Sequence, residues 1–436
     1  MVRQINEDRP LKLSLSRLVS KQSLGYLLSG LKGNSQVHDL NLGECGLDDE
    51  DLEKIAYRLR EDGGIRTLKL GQNQFATILP LIPLIKMKGK QYRSLDISSM
   101  PIDREAMESG FIEAVGSMSG LEELLMCECL TDTRIPDVQR LVDSLLRGCL
   151  GLRSIDISKN MLSRENLNHF LKMLAERGAN SIEALAMSQV SIQRESFPFL
   201  INAVSALGRL KKLNISGNDK LGGQSVQSIL RALIKNQSIE DLDISKTGIG
   251  NDHQSMQLLG ELVKSNKRLR MISLQRLGLS EVAAYHLIDP LSQALNIEVL
   301  NFDNNNLGPI FAQNLINKLM AYKQVDNIRR GGSQLSGAQS PGGGSKDSSI
   351  MTDETGGNDA DQASGWRRRD SDADGGAAAR AHGLASLSLE GNPHIGDRGA
   401  SAIAALIQTQ NAFSNNLKIV NLNECGITNT GFEHLK

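Results

Sequence analysis

The amino-acid sequence has few cysteines, no excess of one charge sign and no long apolar run. Five cysteines among 436 residues are too few for a disulfide framework, and they fit a reducing compartment. The 49 lysines and arginines balance 50 aspartates and glutamates, so no global field favours nucleic acid or an anionic membrane as a partner. The N-terminus lacks the apolar run of a signal peptide, and no run of about 18 apolar residues occurs. We therefore expect a cytoplasmic chain without a membrane span.

Recognisable catalytic motifs are also missing from the sequence. The seven histidines are scattered, and none pairs with a serine or cysteine in a nucleophile motif. No Gly-x-x-x-x-Gly-Lys-Ser/Thr loop is present to hold a phosphate group. We predict that the protein is not an enzyme and has no catalytic residue, metal site or cofactor.

The most informative feature that is present is a repeated phrase of the form Leu-x-x-Leu-x-Leu-x-x-Asn/Cys-x-Leu. It recurs every 27 to 31 residues, apart from one gap. Self-similarity at a fixed period predicts a solenoid, in which each unit buries its apolar face only by stacking on its neighbours. With the first apolar residue of each phrase as relative position 1, the phrases begin at Val37, Ile65, Tyr92, Leu121, Leu152, Ile182, Leu210, Ile239, Leu269, Ile297, Leu384 and Leu417.

Each repeat combines a strand with a helix. Apolar residues at relative positions 1, 4, 6 and 11 are predicted to point into the core, while position 5 faces outward. The residues between phrases show helical apolar spacing, as in Val226, Ile229, Leu230 and Leu233. A helix between successive strands makes those strands parallel. We predict an α/β horseshoe of about 13 repeats, with strands on the concave face and helices on the convex face.

Relative position 9 explains most of the cysteines. An asparagine or cysteine there turns inward and satisfies backbone groups of the turn that leaves the strand. Cys45, Cys129 and Cys425 hold this position. Cys127 and Cys129 also form a Cys-x-Cys pair, but no second pair lies at zinc spacing. The pattern favours a structural role for these cysteines over a metal site.

The periodicity divides the chain into four segments. In the first, Leu11, Leu13 and Leu18 hold the phrase positions of a degenerate repeat. The interruption is rich in glycine, serine and aspartate, and so few apolar residues cannot offset the entropy of ordering it. After the final strand we expect either that the chain is truncated or that something else covers that end. The predicted segments are an N-terminal capping repeat (1–36), ten repeats (37–326), a disordered insertion (327–383) and two repeats, the last incomplete (384–436).

The insertion carries two candidate regulatory features. Trp366, the single tryptophan, lies beside an arginine run, and Arg368, Arg369 and Ser371 form an Arg-Arg-x-Ser pattern favoured by basophilic kinases. Ser340 precedes a proline and suits a proline-directed kinase. Phosphate on Ser371 would place about two negative charges beside the arginines and change what the segment can dock against. The alternative is a tolerated low-complexity insertion without a role.

Function is expected on the outward-facing strand residues, because the core of the repeats is already accounted for. At relative positions 3, 5 and 7 only Lys69 and Lys212 oppose a larger set of acids. This predicts an acidic concave face that favours a basic or amphipathic helical protein partner. One alternative stays open, in which an acid or amide at position 5 is a habitual filler of the repeat. The acids predicted to bind a partner are Asp39, Asp96, Glu123, Asp156, Asp241, Asp243, Asp303 and Glu390.

Basic residues precede several strands, for example Arg209 and Lys211. They follow predicted helices, where cations favour the negative end of the helix dipole. A basic edge for acidic partners or phospholipid is the functional alternative.

These phrases resemble those of a known family. The segments Leu213–Asn218 and Leu387–Asn392 are similar to the ribonuclease-inhibitor class of leucine-rich repeats. A partial resemblance to the repeat region of CARMIL actin regulators rests on Leu145–Cys149, Ser154–Asn160 and Ala184–Ser188. Ran GTPase-activating proteins are similar in length and repeat number, but they usually carry an acidic tail that does not follow these repeats. The class serves inhibitors, immune sensors, GTPase activators, actin regulators and ciliary scaffolds alike.

The resemblance implies a protein-interaction scaffold that binds a protein partner on its concave face. We expect it to be a subunit or regulator of a cytoskeletal, ciliary or signalling assembly. The alternative is a GTPase activator of the Ran type, which orients the GTPase's own groups, or a CARMIL-like actin regulator.

Deleting residues 333–380 tests the regulatory hypothesis for the insertion. If the segment controls docking, the deletion will change the affinity for a partner, because it removes Trp366, Ser340 and Ser371 together. The measurement is the dissociation constant of the full chain and the deletion variant for the same captured partner. Equal affinities would show that the insertion has no part in docking.

Overall fold

The computed structural model describes residues 11–61, 64–177, 182–331, 383–413 and 417–436. For residues 321–331 and 409–413 it describes the backbone alone. The chain divides into two compact units, Met1–Met320 with His382–Lys436, and Ala321–Ala381. The first unit holds the repeats. Of the second, the described part is the end of one helix, which continues to Gly331.

The first unit contains a 13-stranded parallel sheet in which strand order follows chain order. Each strand pairs with the next in the same register, so that the leucine at position 4 of one repeat faces that of the next. This confirms the predicted leucine-rich-repeat solenoid. The strands are β1 (Leu11–Ser14), β2 (Val37–Asn41), β3 (Thr67–Lys69), β4 (Ser94–Asp96), β5 (Glu123–Leu125), β6 (Ser154–Asp156), β7 (Ala184–Ala186), β8 (Lys212–Asn214), β9 (Asp241–Asp243), β10 (Met271–Ser273), β11 (Val299–Asn301), β12 (Ser386–Ser388) and β13 (Ile419–Asn421).

Helices connect the strands, and helices of successive repeats contact one another. One π-helical turn, Met107–Phe111, joins α4 to α5. The helices are α1 (Lys21–Gly30), α2 (Asp49–Glu61), α3 (Leu81–Lys88), α4 (Arg104–Ala106), α5 (Ile112–Gly116), α6 (Val138–Gly148), α7 (Arg164–Arg177), α8 (Phe197–Ala206), α9 (Gly222–Lys235), α10 (His253–Ser265), α11 (Glu281–Gln293), α12 (Pro309–Gly331), α13 (Gly396–Phe413) and α14 (Asn429–Leu435).

The core lies between the sheet and the helices, and the predicted apolar positions fill it. Leu242 and Ile244 are fully buried, and Val226 and Ile229 of α9 close the core from the helix side. Side chains at positions 4 and 6 leave the same face of the strand, so they meet one helix face throughout. Stacking of repeats therefore supplies most of the apolar burial that stabilises the solenoid.

Each phrase ends in a turn whose backbone is left-handed at relative position 8. Left-handed backbone costs a non-glycine residue about 1 kcal/mol or more, so the turn needs compensation. The residues with positive φ at this position are Glu44, Gln72, Ser99, Glu128, Lys159, Gln189, Gly217, Lys246, Arg276, Asn304, Gly391 and Glu424.

The side chain at relative position 9 provides that compensation. The amide of Asn305 donates to the Phe302 carbonyl of its own repeat and to the Leu274 carbonyl of the repeat before, each at 2.8 Å. Its oxygen accepts the backbone N–H groups of Leu277 and Leu279 at 3.0 and 3.1 Å. One buried asparagine thus satisfies four backbone groups that would otherwise be desolvated without partners.

The predicted structural cysteines occupy the same ladder. The Cys129 thiol donates to the Ile97 carbonyl of the preceding repeat at 3.1 Å, and the Cys425 thiol donates to the Leu389 carbonyl at 3.1 Å. All five cysteines are free thiols. Within the described ranges, no three histidine, cysteine or acidic side chains are grouped to hold a metal ion.

The repeats on either side of the insertion are direct neighbours in the sheet. Strand β11 pairs with β12, with Leu300 opposite Leu387. Asn392 donates to the carbonyl of Phe302 at 3.0 Å and accepts the N–H of Leu307 at 3.1 Å. Helix α12 reaches Gly331, past the predicted start of the insertion at 327, and residues 332–382 lie outside the described ranges.

The capping repeat departs from the prediction. Leu18, predicted to hold a phrase position, is 74% exposed, and Leu11 is 42% exposed. Leu13 and Leu15 pack against the core, and Val19 is buried. β1 is the first strand of the described sheet, so no described repeat packs against its outer edge.

Replacing Leu242 by Asp tests the stacking. The Leu242 side chain is 0% exposed on β9, between β8 and β10. The aspartate carboxylate would therefore be buried without a partner, which should lower the free energy of unfolding by on the order of several kcal/mol. We expect a lower melting temperature and a transition that separates into two steps, because each repeat stabilises only its neighbours. Calorimetry measures both effects.

Leu150→Asp is the matched control, since Leu150 is 74% exposed and should change stability by about 0.5 kcal/mol or less. If both variants melted like the unaltered chain, the assigned register would be wrong.

Candidate protein-binding surface

The concave face, formed by the outward residues at relative positions 3, 5 and 7, follows from the strand geometry. In β6, Ile155 is buried while Ser154 and Asp156 on either side of it are half-buried. Because neighbouring strands share one register, equal relative positions form columns across the sheet. Adjacent members of a column are thus about 4.8 Å apart, although 27 to 31 residues separate them in sequence.

Position 5 has a local structural role in many repeats. The carboxylates of Asp96, Asp156 and Asp243 each accept the backbone N–H two residues later, at 3.0, 2.8 and 2.9 Å. Asn214 and Asn301 make the same bond through their amide oxygens, at 2.9 Å each. This bond is what we expect if an acid or amide at position 5 is a regular structural residue of the repeat. The bond needs only an oxygen acceptor, not a negative charge.

Three of the predicted acids lie together in the first half of the concave face. Asp96 on β4 and Asp156 on β6 both stand opposite Leu125 of β5, and Glu123 lies in the neighbouring column. The Ser94 hydroxyl donates to Glu123 at 2.6 Å. We call Asp96, Glu123 and Asp156 the acidic group.

The acidic group carries unfavourable charge. Burial raises the pKa of Asp96, and the negative charge of Glu123 adds to the rise while Lys69 opposes it. Burial also raises the pKa of Asp156, with a further contribution from Asp96. Raised carboxylate pKa values in a cleft mark a site where a cation would be stabilised.

Cys127 lies beside the acidic group and is held in its thiol form. Burial raises its pKa to about 12, and the charge of Asp156 adds to the rise. A thiol with so high a pKa is a poor nucleophile and a poor metal ligand at neutral pH.

The other predicted acids are arranged differently. Asp241 forms an ion pair of 2.7 Å with Lys212, and Asp39 lies 3.9 Å from the Lys12 ammonium. These two acids therefore face a cation of the neighbouring repeat. Asp243, the last residue of β9, is buried.

Asp303 and Glu390 form a second acidic pair near the C-terminal end. The Ser388 hydroxyl donates to Asp303 at 2.5 Å, and the Asn421 amide donates to Glu390 at 2.6 Å. Burial raises the pKa of Asp303, with a contribution from Glu390. The predicted regulatory residues Ser340, Trp366 and Ser371 lie outside the described residues.

The same surface has an apolar part that was not predicted from the sequence. Met271 and Val299, at position 3 of β10 and β11, are paired neighbours and half-buried. Ile419 of β13 continues the column and is 51% exposed. Reading position 3 for apolar residues, and not for charge alone, would have found them.

Comparisons with known proteins agree with this architecture. A family model described as Leucine Rich repeat matches residues 33–56, 384–404 and 413–435. The yeast Rad7 protein, solved as a complex with Elc1, is similar in fold with a TM-score of 0.51 at 14% identity, covering 69% of this chain and 77% of that chain. The sheet and these matches show a leucine-rich-repeat fold.

The match to two curated relatives covers only part of the length of each relative. Protein CARMIL of Dictyostelium discoideum is 22% identical over 279 residues, which are 54% of this chain and 25% of that protein. The human NACHT, LRR and PYD domains-containing protein 13 is 20% identical over 259 residues, 59% of this chain and 24% of that protein. The chain thus spans about a quarter of each relative. None of the helices in the described ranges is long and apolar enough to cross a membrane.

The double variant Asp96→Asn, Asp156→Asn tests the charge of the acidic group. Asparagine keeps the oxygen that accepts the backbone N–H, as Asn214 does, and removes a carboxylate whose folded pKa is raised. A raised folded pKa lowers stability as pH rises through the titration. We expect the variant to melt at a higher temperature than the unaltered chain at pH 7.

This difference should vanish at a pH below the ordinary aspartate pKa of about 4, where both chains are neutral at these positions. Glu105→Gln, on the exposed side of α4, serves as the control. A variant that melts lower at pH 7 would show that the carboxylates stabilise the fold.

Proposed function

We propose that this protein is a non-enzymatic scaffold that holds a basic, amphipathic helix of a protein partner on its concave face. The observation that supports it is the acidic group, in which Asp96, Glu123 and Asp156 surround the apolar Leu125 on three adjacent strands. Carboxylates that are held near one another at a cost in stability gain most when a cation arrives.

The spacing of the acidic group suits a helix laid across the strands. Asp96 and Asp156 are two strands apart, which is about 10 Å. Two turns of an α-helix, or about seven residues, span nearly the same distance. A partner with lysine or arginine at such spacing would place one cation near each carboxylate, while an apolar residue between them meets Leu125.

The apolar column extends the same surface towards the C-terminal repeats. Met271 lies four strands beyond Asp156, at about 19 Å. About 13 helical residues cover that distance. We infer that the partner helix carries cationic residues at one end and apolar residues at the other, with many shallow contacts contributing.

The assembly that this scaffold serves is proposed to be cytoskeletal, ciliary or signalling, in the cytoplasm. The likeness to Protein CARMIL over 54% of this chain supports the cytoskeletal setting. An activator of small GTPases is the alternative activity, since the same class of repeat serves both roles.

Binding of a synthetic helix tests the proposal. The probe is a fluorescent amphipathic peptide with lysines spaced seven residues apart, and the readout is fluorescence anisotropy. We expect the triple variant Asp96→Asn, Glu123→Gln, Asp156→Asn to bind roughly tenfold more weakly, because each charge pair with the peptide, including that of the buried Glu123, contributes a fraction of this loss. The matched control replaces three exposed helix glutamates by glutamine, namely Glu53, Glu105 and Glu261.

Equal affinities for the triple variant and its control would rule out the acidic group as the docking site. A separate assay compares GTP hydrolysis by small GTPases with and without this protein. Acceleration would replace the scaffold-only proposal by the GTPase-activating one.

A further inference from the structure

A ladder of charges runs along the edge of the sheet where the strands begin. The residue at relative position 2 of each repeat donates its N–H to the carbonyl of the same position in the repeat before, as in the 2.7 Å bond from Arg153 to Glu122. This bond holds the charged side chains in a fixed row, distinct from the concave face. The row contains Arg66, Arg93, Glu122, Arg153, Glu183, Lys211, Glu240, Arg270 and Glu298.

Most charges of this row are neutralised within it. Arg270 makes bidentate hydrogen bonds of 2.7 and 2.8 Å to Glu298. Lys211 binds Glu183 at 2.7 Å. Arg153 lies 3.9 Å from the other oxygen of the Glu183 carboxylate, beyond hydrogen-bond distance.

A depression of 330 Å³ opens beside this loosely held arginine. Its lining includes Gly151 and the apolar Leu150, which is 74% exposed. Arg209 is a further lining residue; it is exposed, and no ion pair to it is found among the described residues. We call this cavity the arginine depression. Its lining comprises Arg93, Glu122, Leu150, Gly151, Arg153, Glu183 and Arg209.

The charges around the depression favour a single negative charge. Three guanidinium groups and two carboxylates line the depression. Lys211 binds Glu183 at 2.7 Å and Arg93 lies 3.5 Å from Glu122, so that Arg153 and Arg209 are the guanidinium groups without a close carboxylate. A guanidinium fork matches a carboxylate in a bidentate geometry. The remaining Glu122 and Glu183 repel a doubly charged phosphate more than a singly charged carboxylate.

We propose that the arginine depression binds an aspartate or glutamate side chain of an acidic peptide segment in a protein partner. Arg153 and Arg209 hold the carboxylate, and Leu150 contacts an apolar neighbour in the same segment. The volume lies at the lower end of the range for ligand pockets, about 300 to 1,000 Å³, and suits one or two side chains. This site is separate from the acidic group, so a partner can be recognised through both charge signs.

The test titrates the full chain into a short fluorescent peptide in which glutamates surround a single leucine. The same peptide with glutamines replacing the glutamates is the ligand control. We expect the double variant Arg153→Gln, Arg209→Gln to bind the acidic peptide about tenfold more weakly or worse, as the loss of a charge-assisted bidentate contact predicts. Added salt should weaken binding to the unaltered chain.

Arg231→Gln, exposed on α9, is the matched protein control and should bind as the unaltered chain does. Melting temperatures show whether each variant is folded, and Arg209→Gln alone repeats the test without touching an ion pair. The proposal is overturned by failure to bind the acidic peptide, by equal binding of the glutamine peptide or by an unchanged affinity of the double variant. Binding of a phosphoserine peptide or inorganic phosphate with none of the carboxylate peptide overturns it as well.

Discussion

The inward side chain at relative position 9 is the interaction on which the whole solenoid depends. Each repeat turns through a left-handed residue after its strand, and that turn directs backbone N–H and carbonyl groups into the core. Asn305 and its counterparts bind such groups in two successive repeats at once. The same side chain that makes the turn tolerable therefore joins each repeat to the one before it.

This joining explains why one register persists along the sheet. In this register the apolar residues at positions 4 and 6 of every repeat face the core, and the outward residues at equal positions form columns across the sheet. Position 9 can be cysteine, as at Cys129, or apolar, as at Leu277, because the asparagine of the next repeat also serves the preceding turn. The backbone groups of a turn can therefore be hydrogen-bonded even where position 9 of its own repeat is not asparagine.

The chemistry of the surface depends on which charges the columns bring together. Asp241 meets Lys212 in the neighbouring repeat and is neutralised, whereas Asp96 and Asp156 flank Leu125 and repel one another. At the edge of the sheet where the strands begin, Lys211 lies 2.7 Å from Glu183, whereas Arg153 lies 3.9 Å from it. The distance to the nearest opposite charge thus separates the paired side chains from those proposed to bind a partner.

The amino-acid sequence was enough to predict the repeat, the strand and helix of each unit, the buried positions and the structural cysteines. Those follow from periodicity, because a residue's distance from the phrase anchor decides whether it faces the core. The repeat pattern did not show that Leu18 is exposed, since exposure depends on how the repeat at the edge of the described sheet packs. Which of the acids cluster and which are paired could be seen only in the folded chain. The reason is that side chains 27 to 31 residues apart become neighbours at about 4.8 Å, where rotamers and burial set the balance of charge.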